Sequence, residues 1–213
     1  MADRLLVYIA DPMCSWCYGF GPELDALCAH FPDVPLHLVT GGLRAYNTRV
    51  LDRALAQTLG HHWDEVHRQS GQPFSRALLE REDFVYDTEP ACRALVAVRE
   101  NAAPLALPMM FAVQRAFYAQ GRDVTRAEVL ADVYAAVCAD AMDSEFDPTA
   151  FSAAFASEAT REATRNDFGL VQEWGIRGFP TLLAVQDERP HIVAPGYMKA
   201  PALIERTAAI FRA

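Results

Sequence analysis

The chain has 213 residues, of which 52% are hydrophobic, and it carries a formal net charge of -9. This length and apolar content suffice for one elaborated domain or two small ones. The negative charge disfavours nucleic acid, which needs a basic face, and anionic membrane surfaces, so we expect neither as a partner. A secretory signal and a run of transmembrane length are both missing, which predicts a cytoplasmic protein.

The first predicted strand leads directly into a pair of cysteines. A buried strand is predicted over 4–10 from the apolar run at 5–10, and Cys14-Ser15-Trp16-Cys17 follows. Two residues between the cysteines let one helical turn hold both sulfur atoms within disulfide range. The first sulfur would then lie at a helix N-terminus, where free N–H groups favour the thiolate that attacks disulfides. The spacing therefore predicts a nucleophile together with a second thiol that resolves the mixed disulfide.

Two other interpretations of this pair stay open. Half of a zinc site would need a second pair of cysteines or histidines at short spacing, and His61-His62 lacks that geometry. Two inert, buried thiols are the other option, although Trp16 between them favours an exposed surface. Five cysteines are an odd number, so they form no closed disulfide framework, and a C-x-x-C pair in a reducing compartment favours catalysis.

A helix over 22–31 and a second strand over 36–40 are predicted next. The helix has one apolar stripe at the spacing i, i+3, i+4, i+7, formed by Leu24, Leu27, Cys28 and Phe31. Cys28 is therefore expected in the core. Gly41-Gly42 ends the strand, because a glycine pair commonly forms a turn, although it also leaves room for a small ligand.

From residue 46 to residue 173 the pattern is helical. Thr125 and Glu128 have the spacing of a capping box, and Asp147-Pro148 predicts an N-cap followed by the first residue of a short helix. Several apolar stripes run through this region: Ala91, Leu95, Val98 and Ala102; Met110, Val113 and Phe117; Leu130, Val133, Tyr134, Val137 and Cys138. Cys92 and Cys138 are expected as small core residues. The segment 109–111 could line a binding groove, but core packing is the favoured interpretation.

After residue 173 the period changes from helical to extended. Residues 175–180 interrupt the pattern with glycines and a proline, and 181–185 form a strong strand. A turn over 187–190, a return strand over 191–194 and a last helix over 201–211 follow, the helix with Leu203, Ile204 and Ile210 inward. The order strand, helix, strand, helical block, strand, strand, helix predicts an α/β fold.

With these elements in place, the chain resembles the thioredoxin superfamily, and in particular its DsbA-like branch. Three features carry the resemblance: the strand with its C-x-x-C pair, the helical block, and Gly178-Phe179-Pro180-Thr181 before a hairpin. Around the cysteines, D-P-M-C-S-W-C-Y-G-F is similar to cytoplasmic FrnE-like proteins. The resemblance implies a discontinuous thioredoxin-like domain, 1–45 and 174–213, with an all-helical insertion over 46–173.

The resemblance also implies a protein-disulfide oxidoreductase or isomerase whose catalytic residues are Cys14, Cys17 and Pro180. Pro180 matches a proline that is cis in the family and lies against the cysteines, which would expose the Phe179 backbone to an extended substrate. The implied substrate groove consists of Ser15, Trp16, Phe179 and Thr181.

Two positions depart from the family pattern. Many members carry a buried acid six residues ahead of the first cysteine, where this chain has Tyr8. Asp11 is the candidate proton relay in its place, although a turn or cap role before Pro12 is favoured. Strongly oxidising members have a histidine between the cysteines, whereas Ser15-Trp16 provides no cation, so a milder thiol is expected.

The implied chemistry needs no metal and no organic cofactor, and it acts on protein or small-molecule disulfides and thiols, with glutathione as an eligible co-substrate. The alternative is a glutathione-dependent transferase or isomerase, similar to the kappa-class transferases and the hydroxychromene-carboxylate isomerases, which share the inserted fold. Those enzymes typically have serine where Cys14 stands and lack the second cysteine. The presence of Cys14 and Cys17 together favours the redox function.

Overall fold

The computed structural model describes residues 4–141 and 146–212. The strands are β1 (Arg4–Ala10), β2 (Leu36–Thr40), β3 (Thr181–Gln186) and β4 (Arg189–Ala194). The helices are α1 (Ser15–His30), α2 (Arg53–Ser70), α3 (Glu89–Asn101), α4 (Ala106–Tyr118), α5 (Ala127–Asp140), α6 (Pro148–Ala156), α7 (Glu158–Glu173) and α8 (Ala200–Ile210), with a short 3-10 turn at Ala103–Leu105. Within the described ranges, no helix is long and apolar enough to cross a membrane.

The four strands form one mixed sheet in the order β2-β1-β3-β4. β1 pairs in parallel with β2, because α1 connects the two strands as a crossover, and antiparallel with β3. Ala10 lies opposite Thr40 and Ile9 lies opposite Thr181. The register therefore brings the residues after β1, the residues after β2 and the residues before β3 to one edge of the sheet.

Alternate residues of β1 belong to two different apolar clusters, as the period of two in a strand requires. Leu6 and Tyr8 join the main core, which contains α1 and continues into the helices between β2 and β3. Val7 and Ile9 join a smaller cluster on the other face, where Val171 of α7 covers part of the sheet. The helical insertion therefore shares its core with the sheet, and the predicted domain boundaries stay a prediction.

The expectation of a helix over 22–31 was wrong at its start, because α1 begins at Ser15 and contains Pro22. Proline lacks an N–H group, so it usually begins a helix and leaves the carbonyl four residues earlier without its helical donor. That carbonyl belongs to Tyr18, and the Gln72 side chain donates to it at an N–O distance of 3.4 Å. Gln72, which is distant in sequence, thus supplies the donor that Pro22 lacks. Local sequence patterns do not predict such a long-range hydrogen bond.

The predicted capping box was also wrong. The N-cap of α5 is Arg126, whose side chain makes no capping bond, and Thr125 instead donates to the Asp123 carboxylate. Glu128 pairs with Arg126, so it does not reach back to Thr125. The prediction for Asp147 is confirmed: its carboxylate accepts the N–H groups at 149 and 150 at the start of α6.

The helical block is less continuous than predicted. The segments 46–52 and 71–88 are not helical, and an isolated antiparallel bridge joins Val50 to Val85. Gly71, with a φ of 76°, ends α2 in the left-handed conformation that glycine adopts without strain. The predicted stripes are largely buried, as are Cys92 and Cys138, whereas Cys28 is only half-buried at the edge of the core.

The hairpin at the C-terminal end is tighter than predicted. Asp187 and Glu188, with φ of 50° and 64°, form the whole turn, so β4 begins at Arg189 and not at residue 191. Two successive residues of positive φ match the right-handed twist of the flanking strands. Pro190 lies within β4, which is an edge strand and therefore tolerates a missing N–H group. β1 and β2 have the predicted bounds, and the last helix is shifted by one residue.

We expect Asp147→Ala to lower the free energy of unfolding by about 1 kcal/mol, because two N–H groups at the start of α6 lose their acceptor. Urea unfolding measures the change. Asp147→Asn, which keeps a cap oxygen, should recover most of it. Glu128→Ala, which alters the residue of the failed capping box, should leave the unfolding midpoint unchanged. A loss on Glu128→Ala equal to that on Asp147→Ala would contradict this assignment of the caps.

Gly41, the first residue after β2, packs directly on the ring of Phe179. An alanine Cβ at this position would come closer than 3.0 Å to three atoms of that ring. We therefore expect Gly41→Ala to lower the free energy of unfolding by about 1–3 kcal/mol through overpacking. Gly169→Ala is the matched control, because a Cβ there meets nothing within 4 Å, and the exposed helix position should gain stability slightly. Equal unfolding midpoints for the two variants would show that the contact does not constrain the fold.

Candidate active site

Cys14 is the N-cap residue of α1, between the end of β1 and the first helical turn. Its N–H group donates to the Asp11 carbonyl at 3.0 Å, and its carbonyl accepts the Tyr18 N–H at 3.1 Å. The first N–H groups of a helix have no helical acceptor, so this position favours a negative charge on the sulfur. The side chain is 6% exposed, and its thiol donates to the Phe179 carbonyl at an Sγ–O distance of 3.6 Å.

Cys17 lies in the first turn of α1 and is completely buried. Its thiol is hydrogen-bonded to the Cys14 sulfur, and the two side chains approach to 3.5 Å. Burial raises the pKa of the Cys17 thiol well above its ordinary value, and the neighbouring Cys14 raises it further. The backbone N–H of Asp11, which bonds to the Cys17 sulfur, acts in the opposite direction. Cys17 is therefore protonated at neutral pH and needs a base before it can attack.

The loop before β3 covers the Cys14 sulfur. The Phe179–Pro180 peptide bond is cis, Pro180 is buried, and Phe179 is half-buried. Thr181 is buried, and its hydroxyl donates to the Gly178 carbonyl at 2.9 Å. The structure thus brings the predicted residues Phe179, Pro180 and Thr181 to the same sheet edge as Cys14, as the register of β1 with β3 requires.

Ser15 and Trp16, the two residues between the cysteines, are half-buried. The Trp16 ring packs on Tyr197, with 5.5 Å between the ring centroids. Tyr197 in turn donates to the Glu23 carboxylate at 3.1 Å. Trp16 of α1 and Tyr197 of the segment before α8 therefore form one wall beside the cysteines. The exposed part of the Trp16 ring is therefore available to a substrate, but less of it than the sequence suggested.

Asp11 has the most constrained carboxylate near the cysteines. It is fully buried, with Oδ1 accepting the Met13 N–H at 2.8 Å and Oδ2 accepting the Leu43 N–H at 2.6 Å. The Thr88 hydroxyl and the Cys92 thiol also donate to it, the latter at an Sγ–Oδ2 distance of 3.5 Å. Burial raises the pKa of Asp11 above its ordinary value, although these donors oppose the rise. The turn role expected for Asp11 is therefore present, and a buried acid occupies the same position.

Three tyrosines surround the cysteines: Tyr8, which the sequence marked as the residue in place of the usual buried acid, and Tyr86 and Tyr118, which sequence reasoning did not single out. The hydroxyl of Tyr8 donates to the Cys17 carbonyl at 3.4 Å, and burial raises its pKa. Tyr86 donates to the Met13 carbonyl, and its hydroxyl lies 3.4 Å from that of Tyr118. The spacing of Tyr86 and Tyr118 from the cysteines carries no local signal, since only folding brings α4 and the residues before α3 to this place.

Across the described ranges 4–141 and 146–212, no three His, Cys, Asp or Glu side chains cluster in a way that could hold a metal ion. The arrangement offers two adjacent sulfur atoms, a helix N-terminus, a backbone carbonyl facing the first sulfur and a buried carboxylate that acts electrostatically on the second. These groups suit proton and electron-pair transfer between thiols and disulfides.

No protein-family model matches the sequence, and no curated protein matches it. Among solved structures, a protein from Nitrosomonas europaea, provisionally described as a protein disulfide isomerase, is 32% identical with a TM-score of 0.89. The similarity covers 99% of this chain and 98% of that one. The cytosolic disulfide reductase DsbM from Pseudomonas aeruginosa is 26% identical over 98% of this chain and 97% of its own, with a TM-score of 0.77.

A second structure of DsbM contains glutathione and has a TM-score of 0.75 to this chain. The oxidoreductase DsbA from Xylella fastidiosa, at 16% identity over 99% of this chain and 85% of its own, shares the fold with a TM-score of 0.60. The similarity to the Nitrosomonas protein extends over the sheet, the cysteine-bearing helix and the helical insertion. The chain belongs to the DsbA-like family of thiol–disulfide oxidoreductases in the thioredoxin superfamily.

Proposed function

We propose that this protein reduces disulfides, with Cys14 as the nucleophile and Cys17 as the resolving thiol. The observation that carries the proposal is the position of Cys14. It is the N-cap residue of α1, its side chain lies within 3.5 Å of the Cys17 side chain, and its sulfur faces the Phe179 carbonyl. The helix N-terminus favours the attacking thiolate. The Phe179 backbone, next to that sulfur, can pair with an extended substrate segment.

In the first step the Cys14 thiolate attacks one sulfur of the substrate disulfide, and the other substrate sulfur leaves as a thiolate that takes up a proton. In the second step Cys17 loses its proton and attacks the Cys14 sulfur, which releases the substrate's remaining thiolate. The substrate disulfide gains two electrons, and Cys14 and Cys17 lose two as they form a disulfide. Isomerisation shares the first step and ends when another thiolate of the substrate attacks the substrate sulfur of the mixed disulfide, which forms a new substrate disulfide and releases Cys14 as a thiolate.

Two thiols must then reduce the Cys14–Cys17 disulfide, and we assign this role to glutathione, which becomes glutathione disulfide. The similarity to DsbM, a cytosolic reductase whose structure has been determined with glutathione, supports both this donor and a cytoplasmic location. The reaction as proposed uses no metal and no organic cofactor. Protein disulfides and small disulfides are both eligible substrates.

Asp11 is the proposed proton acceptor for Cys17. Its carboxyl group is buried, its pKa is raised by that burial, and its backbone N–H already bonds to the Cys17 sulfur. Tyr8 takes the position at which many family members carry the buried acid, and it bonds to the Cys17 carbonyl. A raised pKa brings Asp11 closer to neutrality, where a carboxylate accepts a proton more effectively.

We expect Cys17→Ser to accumulate a mixed disulfide between Cys14 and glutathione, because no resolving thiol remains. Incubation with glutathione disulfide and intact mass measurement detect one added glutathione per chain, and digestion locates it. Cys14→Ser should form no such adduct, and both variants should lose the glutathione-dependent reduction of insulin disulfides. An adduct on Cys28, Cys92 or Cys138 in Cys17→Ser would contradict the assigned site. Undiminished turnover in Cys17→Ser would favour the glutathione transferase alternative.

We expect Asp11→Asn to slow the resolving step about 100-fold, because Cys17 loses its proton acceptor. Rapid mixing with a substrate disulfide separates the decay of the mixed disulfide from its formation. In the wild type, resolution should speed up as the pH rises through the raised pKa of Asp11, since only the ionised carboxylate accepts a proton; this dependence should vanish in the variant. If formation and resolution of the mixed disulfide slowed equally and the pH dependence were retained, the role of Asp11 would be structural only.

A further inference from the structure

A groove separate from the cysteine sulfurs lies between α1, α4 and α5. Its volume is about 500 Å³, the size of a small-ligand site. Tyr18 and Pro22 of α1 and Phe111 of α4 supply apolar walls. Of the segment 109–111, Met109 and Met110 are buried in the core, whereas Phe111 is half-buried and lines this groove. The groove is thus lined by an aromatic side chain that is only partly buried in the core.

Gln114 lines the same groove and is an unusual residue for an apolar helix face. Its side chain is 1% exposed, and its Nε2 has no hydrogen-bond partner within the residues that the structure describes. A buried, unpaired amide destabilises a protein, so native folds rarely retain one without a use. A ligand that carries an acceptor, such as a peptide carbonyl, would satisfy the amide once the Gln114 side chain turns toward the groove.

Charged side chains lie at the two ends of the groove. Arg115 of α4 is close enough to Tyr18 of α1 to act on it electrostatically. Four residues earlier in α4, the Phe111 ring lies 3.5 Å from where a Cβ at Gly21 would be. Because the earlier residue of α4 lies beside the later residue of α1, the two helices run antiparallel along the groove. Arg115 is therefore at the Tyr18 end, and Asp25 of α1 is at the other. Tyr18 and Asp25 are seven residues apart, which corresponds to about 10 Å along a helix.

Neither Arg115 nor Asp25 forms an ion pair with any side chain of the described residues, and Asp140 of α5 adds a second carboxylate to the wall. A cationic end, an anionic end, an apolar middle and an unpaired amide together match a zwitterionic peptide. An extended chain spans about 3.3–3.6 Å per residue, so about three residues cover the distance between the two charges.

We propose that this groove is a binding site for a short zwitterionic peptide of about three residues. The peptide carboxylate faces Arg115, its ammonium group faces Asp25, and one of its peptide groups pairs with the Gln114 amide. Tyr18 connects the site to the cysteines: it follows Cys17 in α1, and its ring stacks on Tyr118 at a centroid distance of 5.0 Å. The site is distinct from the Cys14 sulfur and does not depend on the proposed redox function.

Calorimetric titration of the full-length protein with two probes tests the proposal. The first is the tripeptide Gly-Phe-Gly, and the second is S-methylglutathione, whose sulfur cannot exchange; their comparison distinguishes an ordinary peptide from a glutathione-type ligand. We expect at least one of them to bind saturably at millimolar concentration. The tripeptide with an acetylated N-terminus and an amidated C-terminus should bind about tenfold more weakly, because it lacks both charges.

Three variants locate the binding. Gln114→Met should weaken it about tenfold while the thermal midpoint stays equal or rises, because the variant removes an unpaired buried amide. Arg115→Gln should weaken binding of the free tripeptide but not of the capped one. Arg126→Gln, which replaces the exposed N-cap arginine of α5, is the control and should change the binding of neither. Failure of both probes to bind the wild type would overturn the proposal, as would affinities unaltered by Gln114→Met and Arg115→Gln.

Discussion

The carboxylate of Asp11 is the polar centre on which the arrangement around the cysteines depends. It is completely buried, and it collects donors from the cysteine loop at Met13, from the residues after β2 at Leu43, and from the start of α3 at Thr88 and Cys92. A buried carboxylate is costly unless donors satisfy it, so these segments must come together wherever Asp11 is buried. One side chain therefore fixes the approach of three chain segments to the N-terminus of α1 and places an acid near Cys17.

A second buried network attaches the helical insertion to the sheet. The Asp167 carboxylate of α7 accepts the N–H and hydroxyl of Thr40 at 2.8 and 3.0 Å and a guanidinium N–H of Arg99 in α3 at 2.7 Å. Arg99 also donates to the Leu38 carbonyl of β2 at 2.8 Å. Removing one partner of such a network leaves the other charge buried without compensation, which strongly destabilises a fold. Side chains of the helical insertion therefore hold the end of β2 in place. They also fix the position of Gly41, the next residue, against Phe179.

Local patterns in the sequence were sufficient where the physical cause is itself local. The apolar run of β1, the weak alternation of β2, the helical stripes and the Asp147 cap all depend on neighbours a few residues away, and the structure confirms these elements. The wrong boundaries have distant causes. Pro22 could enter α1 because Gln72 supplies a donor to Tyr18, and Thr125 fails as a cap because Asp123 takes its hydroxyl hydrogen bond.

The sequence by itself determined the order of elements, the two cysteines one helical turn apart and the proline before β3, because spacing and residue type suffice for each. Only the tertiary structure decided what surrounds them. The pairing of β1 with β2 and β3 brings Gly41 against the Phe179 ring and the Phe179 carbonyl to the Cys14 sulfur, and folding of the insertion brings Tyr86 to the Met13 carbonyl. Burial then raises the pKa values of Asp11 and Cys17. Burial and long-range hydrogen bonds arise from the packing of distant segments, and spacing along the chain does not encode them.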